Sequence, residues 1–479
     1  MDGITLVLIG VASILIYFLL KYRTYSATAP PGPKGYPFIG NTFQIDTKKL
    51  HISLSAFAKE YGEIYSVNVF GRNAVVLNSP ELVREALLRE PNASNFAARL
   101  QSYFGKEFMF NNADLVLSSN TEVWAKRRKF SHKLLKAYGE GLKIIEKKLH
   151  EALNNTICDV RKFSGAAFDP EDVITSFLVG IITSLSVVEY DEVLNEVLKP
   201  RFSFMVRTLP FLKYIPGKYK EIYERCRRAQ LRFLELVKKE KDNMEGGGMI
   251  HDLYAELPKG WLTEEEIFAI LTNMISAGLL TSKGTIWSMI QILISRPEVQ
   301  KKLQEEVDTV VGHDRLPSLS DKSSMPYTEA VLYETLRYIS HIPLAVPHSN
   351  SRDSKLKGYD IKKGSMILIN VWNIHHDEEF YNKPFDFCPE RFLGHDGQIE
   401  PADSPVRQSF LAFGIGKRAC IGEVFAKNRI FLFLASMMQH FTFESEDGNI
   451  PEIMDPTNMV QSAVRMPQRY KCKAIERRK

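Results

Sequence analysis

The chain has 479 residues, 44% of them hydrophobic and 25% charged, the balance of a globular protein rather than a disordered or fibrous one. Its formal net charge is +5 with no dense Lys/Arg tract, which argues against a nucleic-acid partner. Five widely spaced cysteines (Cys158, Cys226, Cys388, Cys420 and Cys472) form no CxxC pair, which argues against a zinc site or a disulfide framework.

Ile4 to Leu20 is a run of 17 residues without a charge. As a helix it reaches roughly 25 Å, at the short end for a membrane crossing. Lys21 and Arg23 follow it, Tyr17, Tyr22 and Tyr25 sit where an interfacial belt would lie, and only Asp2 precedes it. By the positive-inside rule the body of the protein faces the cytoplasm. A cleavable signal peptide is the competing reading, because Ala27-Thr28-Ala29 resembles a cleavage site. Such a peptide carries its positive charge before the apolar run, not after it. From Ala29 to Pro37 there are four prolines in nine residues, a stiff extended lead that cannot be helix. The expected organisation is an anchor over 1–25, a Pro/Gly hinge over 26–40 and one body over 41–479.

Within the body, Ile64–Val69 and Asn73–Leu77 read as two strands turned at Gly71-Arg72, and Glu81–Arg89 as a short helix. Thr121 to Arg315 is mainly helical in pattern, with a flexible Met244–Met249 loop. Helices are expected over Ile267–Leu293, over Tyr327–Tyr338 and from near Cys420 to His440, with strands at Tyr359–Ile361 and Ser365–Val371. The fold class is mainly α with a smaller β portion.

The segment Phe413-Gly414-Ile415-Gly416-Lys417-Arg418-Ala419-Cys420-Ile421-Gly422 is the most informative part of the chain. Its glycines permit tight turns and close approach to something flat. Cys420 sits where the loop becomes a helix, and a helix N-terminus favours a thiolate. Arg418 can face an anion, and Phe413 can shield the sulfur. A phosphate loop would need Ser or Thr where Arg418 stands. A plain glycine turn with a buried cysteine is the other bland reading, but six such fixed identities arise by chance roughly once in 10⁵ chains of this length.

The segment resembles the haem-binding signature of the cytochrome P450 superfamily, Phe-Gly-x-Gly-x-Arg-x-Cys-x-Gly, at every fixed position. The resemblance implies the P450 fold, haem b with Cys420 as iron ligand, and Arg418 at a haem propionate. Glu334-Thr335-Leu336-Arg337 resembles the family's Glu-x-x-Arg motif, and Pro389-Glu390-Arg391-Phe392 the segment supplying a second arginine. Glu334, Arg337 and Arg391 are then expected to form one buried network. Read alone, Glu334 and Arg337 are an ordinary surface ion pair. Trp124-Ala125-Lys126-Arg127-Arg128 resembles the Trp-x-x-x-Arg helix, placing Trp124 and Arg128 at a propionate. His348 matches another propionate donor. A core tryptophan with a surface arginine is the plain alternative.

Ser276-Ala277-Gly278-Leu279-Leu280-Thr281-Ser282 is similar to the family's oxygen-side motif, Ala/Gly-Gly-x-Asp/Glu-Thr. Ala277 and Gly278 would open a groove for dioxygen, and Thr281 would help deliver protons. Leu280 stands where an acid is usual. The resemblance is nearest to animal microsomal drug- and steroid-oxidising members.

It implies a monooxygenase of the endoplasmic reticulum membrane acting on a lipophilic substrate, whether steroid, fatty acid or xenobiotic. Electrons would come from NADPH through a flavoprotein reductase, with cytochrome b5 as a further partner. Lys126, Arg127 and Lys129, with Lys417, are candidates for a basic docking patch, or are ordinary solvated side chains. Because Leu280 departs from the pattern, a haem-thiolate isomerase or dehydratase of oxygenated lipids, and a non-catalytic haem- or lipid-binding relative, stay open beside the monooxygenase.

Overall fold

A computed structural model describes residues 28–36, 39–69, 72–101, 103–139, 143–182, 202, 209–243, 249–460 and 464–477. The expected anchor, Gly71, the 244–248 loop and most of 201–208 lie outside these residues. The longer helices are α1 (Leu50–Tyr61), α2 (Pro80–Leu88), α3 (Glu122–Gly139), α4 (Lys143–Lys162), α5 (Pro170–Ile182), α6 (Lys218–Asn243), α7 (Glu264–Ile294), α8 (Pro297–Val310), α9 (Pro326–Ile339) and α10 (Glu423–His440). The strands are β1 (Ile64–Val69), β2 (Arg72–Leu77), β3 (His348–Ser349), β4 (Ser354–Leu356), β5 (Tyr359–Ile361), β6 (Met366–Ile369), β7 (Phe441–Ser445) and β8 (Cys472–Glu476). The protein is thus mainly helical with small sheets, as its pattern implies.

The chain divides into two compact units. The smaller contains the described residues up to Leu100, Pro343–Ile374 and Ile415–Arg418. Its sheet has the order β1-β2-β6-β3, with β1 and β2 antiparallel and β2 and β6 parallel. Alternation in β1 and β2 sends Tyr65, Val67, Ala74 and Val76 to one face, where they pack with Leu54, Ile45 and Leu368. The proline-rich lead is bonded onto this unit. Ser66 N donates to Pro31 O at 2.7 Å, and Asp360 N to Thr28 O at 2.8 Å. A side chain at Gly32 would meet the Ser66 carbonyl, so only glycine allows that approach.

The larger unit holds Gln101–Ile342, His375–Gly414 and the residues from Ala419 onward. Helix α7 runs through its core. It starts at a capping box in which the Thr263 side chain accepts from Glu266 N while Glu266 accepts from Thr263 N. Buried apolar residues from its whole length pack with α5, α9 and α10. Helix α7 is long and apolar enough to cross a membrane by composition, but its burial makes it a core helix.

Candidate functional site

In the larger unit, α10 begins three residues after Cys420, capped by Gly422. The Cys420 side chain is exposed. Its backbone N–H donates to the Phe413 carbonyl at 2.8 Å, closing the loop, and Gly414 has φ +64°, a left-handed turn. Phe413 is half-buried, edge-on to Phe410. Although the residue is reachable, protein atoms crowd its sulfur. That burial pushes the Cys420 thiol pKa up, while the Gly422 backbone hydrogen bond and the Arg128 charge pull it down. The net direction corrects the expectation that the helix start alone favours a thiolate: desolvation outweighs the local dipoles. A thiolate here needs a positive partner such as a metal ion.

Arg128 and Trp124 lie one turn apart on α3, with the guanidinium 5.7 Å from the ring centre. Arg128 donates to the Ala419 carbonyl, beside Cys420. Trp124 is buried, and its indole N–H donates to Leu115 O at 2.9 Å. That proton is already used in packing, unlike that of an open donor. Arg127 also departs from expectation. It is buried, pairs with Glu266 of α7 and donates to Ala113 O at 3.0 Å, so it does not belong to a docking patch. Lys126, Lys129 and Lys133 remain exposed on one stripe of α3, with Lys126 over the Trp261 ring.

On α7, Ala277 is exposed and Gly278 and Thr281 are half-buried, so these three share the accessible side. Thr281 Oγ1 donates to Ala277 O at 2.6 Å. Leu280 is 8% exposed and packs into the hydrophobic core, so its side chain leaves that side. An isolated carboxylate at this depth would be costly.

Glu334 and Arg337 of α9 are both fully buried and pair bidentately at 2.7 and 2.8 Å. Arg391 Nε and Cys388 N also donate to Glu334, at 3.1 and 2.9 Å. The structure therefore brings the three expected residues together. It adds His375, which the sequence reading missed because it belongs to no motif. Arg337 Nη1 donates to the His375 carbonyl at 2.6 Å, and His375 Nε2 accepts from Leu411 N at 3.0 Å. His375 thus ties the buried network to the strand of chain leading into the cysteine loop. Burial and the neighbouring Arg337 lower its pKa to about 3, so the ring is neutral.

In the smaller unit, Arg418 Nε donates to Ala97 O at 2.8 Å. Gly416 has φ +74°, and a side chain there would meet the Leu87 carbonyl. His348, in β3, is buried, with Nδ1 2.8 Å from Phe96 O. Burial, with the Arg99 and Arg418 charges, lowers its pKa to about 3. In the neutral ring the Nδ1 proton goes to Phe96, leaving Nε2 an acceptor. Arg99, held by the Val346 and Pro347 carbonyls at 2.8 and 2.9 Å, was not assigned a role from sequence because no motif marks it. Lys417 pairs with Glu90 at 2.9 Å. No group of three His, Cys, Asp or Glu side chains is assembled for a metal among the described residues.

The family model for Cytochrome P450 matches residues 30–474. Cytochrome P450 2U1 of Rattus norvegicus is 32% identical, covering 94% of this chain and 92% of that protein. Cytochrome P450 2F3 of Capra hircus is 28% identical over 98% of this chain and 99% of its own length. Cytochrome P450 2E1 of Oryctolagus cuniculus is 29% identical over 99% of both.

Proposed function

The chain belongs to the cytochrome P450 family of monooxygenases, and we propose that it inserts one atom of dioxygen into a lipophilic substrate, a steroid, fatty acid or foreign compound. Electrons come from NADPH through a flavoprotein reductase, with cytochrome b5 as a second donor. The protein sits on the endoplasmic reticulum membrane, held by residues 1–25 through the 26–40 hinge, with the 41–479 body in the cytoplasm.

The observation that carries this reading is Cys420: a reachable residue just ahead of α10, in a loop closed by its own backbone bond to Phe413. The donor set fits haem. Cys420 offers a soft ligand whose thiolate needs a cation. In the same unit Arg128, beside Ala419, offers a cationic group for a carboxylate; within the smaller unit Arg418 and Arg99 flank His348. Haem held there would supply dioxygen activation, so that the substrate, dioxygen, two electrons and two protons would give hydroxylated product and water.

Each side chain then has a distinct task. Cys420 would hold the iron. Arg128, over the Trp124 ring, would neutralise a propionate, Arg418 of the smaller unit would serve the same chemistry by its place in the signature, and Phe413 would limit water at the sulfur. His348 donates to a carboxylate only when its Nδ1 proton moves or a second proton binds. Ala277 and Gly278 keep the accessible side of α7 narrow. Thr281 presents a hydroxyl whose proton is held by the Ala277 carbonyl, ready to be exchanged with a bound water. Glu334, Arg337 and Arg391 hold the chain beneath the loop and touch no reactant. The exposed Lys126, Lys129 and Lys133 offer a positive stripe for an acidic electron donor.

The test is the carbon-monoxide difference spectrum of the dithionite-reduced protein, followed by NADPH oxidation with reductase and a panel of steroids, fatty acids and alkoxycoumarins. A thiolate-type Soret band with NADPH-dependent hydroxylated product supports the proposal. Conversion of a lipid peroxide without reductase would support the isomerase or dehydratase reading, which the apolar, core-facing Leu280 favours. A haem spectrum with no turnover of either kind would leave a binding protein.

A further inference from the structure

Helix α10, which follows Cys420, sends one charged side chain into the core. Arg429 is 1% exposed. Its Nη2 donates to the Gly278 carbonyl at 2.6 Å and also to the Ser282 hydroxyl, both on α7. The Phe425 ring lies 5.0 Å from the guanidinium. Nε and Nη1 have no hydrogen-bond partner, and no carboxylate pairs with Arg429 among the described residues. Burial lowers its pKa to about 10, so it stays charged at neutral pH. A buried cation without a counter-ion opposes folding, and a methionine-like side chain would fill the same space at lower cost. Its direct contacts are therefore where its use must lie.

Those contacts fall on one turn of α7. Gly278 has the loosest backbone in that turn, because it lacks a side chain. Its carbonyl and the Ser282 hydroxyl are four residues apart, so they lie one above the other on a helix face. A single guanidinium nitrogen holds both. Thr281 lies within the held turn, and its own hydroxyl is fixed by Ala277 O. Leu280, in the same turn, contributes no polar group to hold anything in place.

We propose that Arg429 is a positioning residue for the oxygen-side turn: by clamping Gly278 O and Ser282 Oγ from the helix that follows Cys420, it keeps the Ala277–Thr281 segment in the geometry that delivers protons. This rests on the monooxygenase reading. The clamp acts through Gly278 and Ser282, and Arg429 itself touches no reactant.

The test uses the full-length haem-loaded protein with Arg429→Met, Arg429→Lys and Ser282→Ala. Hydrogen exchange is followed across α7. Arg429→Met should speed exchange of the Ala277–Ser282 amides about tenfold, with the Ile286–Ile294 end unchanged. With reductase and an alkoxycoumarin, the share of NADPH electrons ending in peroxide should rise about threefold, while KM stays within about twofold. Arg429→Lys, which still reaches the carbonyl with one donor, should recover most of both effects. Ser282→Ala should give part of each.

Unchanged exchange and unchanged coupling in Arg429→Met would overturn the proposal. Uniformly faster exchange along α7, with KM and turnover declining together and no rescue by lysine, would reduce Arg429 to a packing residue. If Arg429→Met does not fold, Ser282→Ala and Arg429→Lys decide: no change at Ala277–Ser282 in either overturns the clamp. If the wild-type protein never yields hydroxylated product, the monooxygenase reading fails, and exchange still judges the clamp by itself.

Discussion

Replacing Glu334 by glutamine should destabilise the fold by about 3–5 kcal/mol, because it leaves a buried cation without its partner. The carboxylate accepts four hydrogen bonds, from Arg337 Nε and Nη2, Arg391 Nε and Cys388 N. If the glutamine oxygen takes the Oε1 position, three of these survive. The amide nitrogen then faces Arg337 Nε, 2.7 Å away, donor against donor. Losing that one charge-assisted bond costs about 1.5–3 kcal/mol. The remainder comes from Arg337, which has zero side-chain exposure and cannot reach water. Urea unfolding at pH 7, monitored by fluorescence, reads the loss as a lower midpoint at an unchanged slope. A second variant, Glu334→Met combined with Arg337→Met, should be more stable than Glu334→Gln, since the fully buried cation is removed and Arg391 keeps the Asn382 and Asp386 carbonyls as partners. A change below about 1 kcal/mol in Glu334→Gln would refute the reasoning, for it would mean that water or another acceptor already serves Arg337.

Cys420→Ser should fold within about 1 kcal/mol of the parent, because the side chain is exposed and the backbone bond to Phe413 survives, yet lose the thiolate-type carbon-monoxide band. Acid should weaken the fold through three buried histidines. His341, His348 and His375 have folded pKa values of about 4, 3 and 3. All lie below the unfolded value of about 6.5, so the unfolded chain takes up protons first. Stability is complete above that pH and falls as the pH drops toward 3, which urea midpoints at pH 7, 6 and 5 will show; a flat series refutes it. Lys126→Glu with Lys129→Glu should raise the KM for the reductase about tenfold at low salt, with the effect fading at high salt. Equal effects at both salt levels would point to a structural cause.

Local patterns were legible in advance. The strands Ile64–Val69 and Tyr359–Ile361 appear where alternation placed them, and the helices over 264–294 and 326–339 exceed their expected bounds by a few residues at most. The loop Phe413–Gly422 could be picked out because glycines, an arginine and a cysteine at fixed spacing serve a local need: a tight backbone around one cysteine. Glu334 and Arg337 were visible as a pair because three residues on a helix set one face. Their burial was not visible, since the same spacing serves surface pairs.

Contacts between distant segments were decided by tertiary structure alone. Arg127 and Lys126 are neighbours in sequence and equal in charge, yet one is sealed against Glu266 and the other is open. The Trp124 indole proton, the neutral His375 beneath the loop and the clamp from Arg429 to Gly278 each depend on a partner about nine to 150 residues away along the chain. The reason is physical. Periodicity and motif spacing report what a side chain does relative to its own backbone, whereas desolvation and hydrogen-bond pairing depend on which other segment the fold brings against it. The amino-acid sequence by itself determined the family, most of the elements and the glycine-rich cysteine loop; the packed fold decided which charges are buried, which donors are already committed and which helix bonds to Gly278 and Ser282.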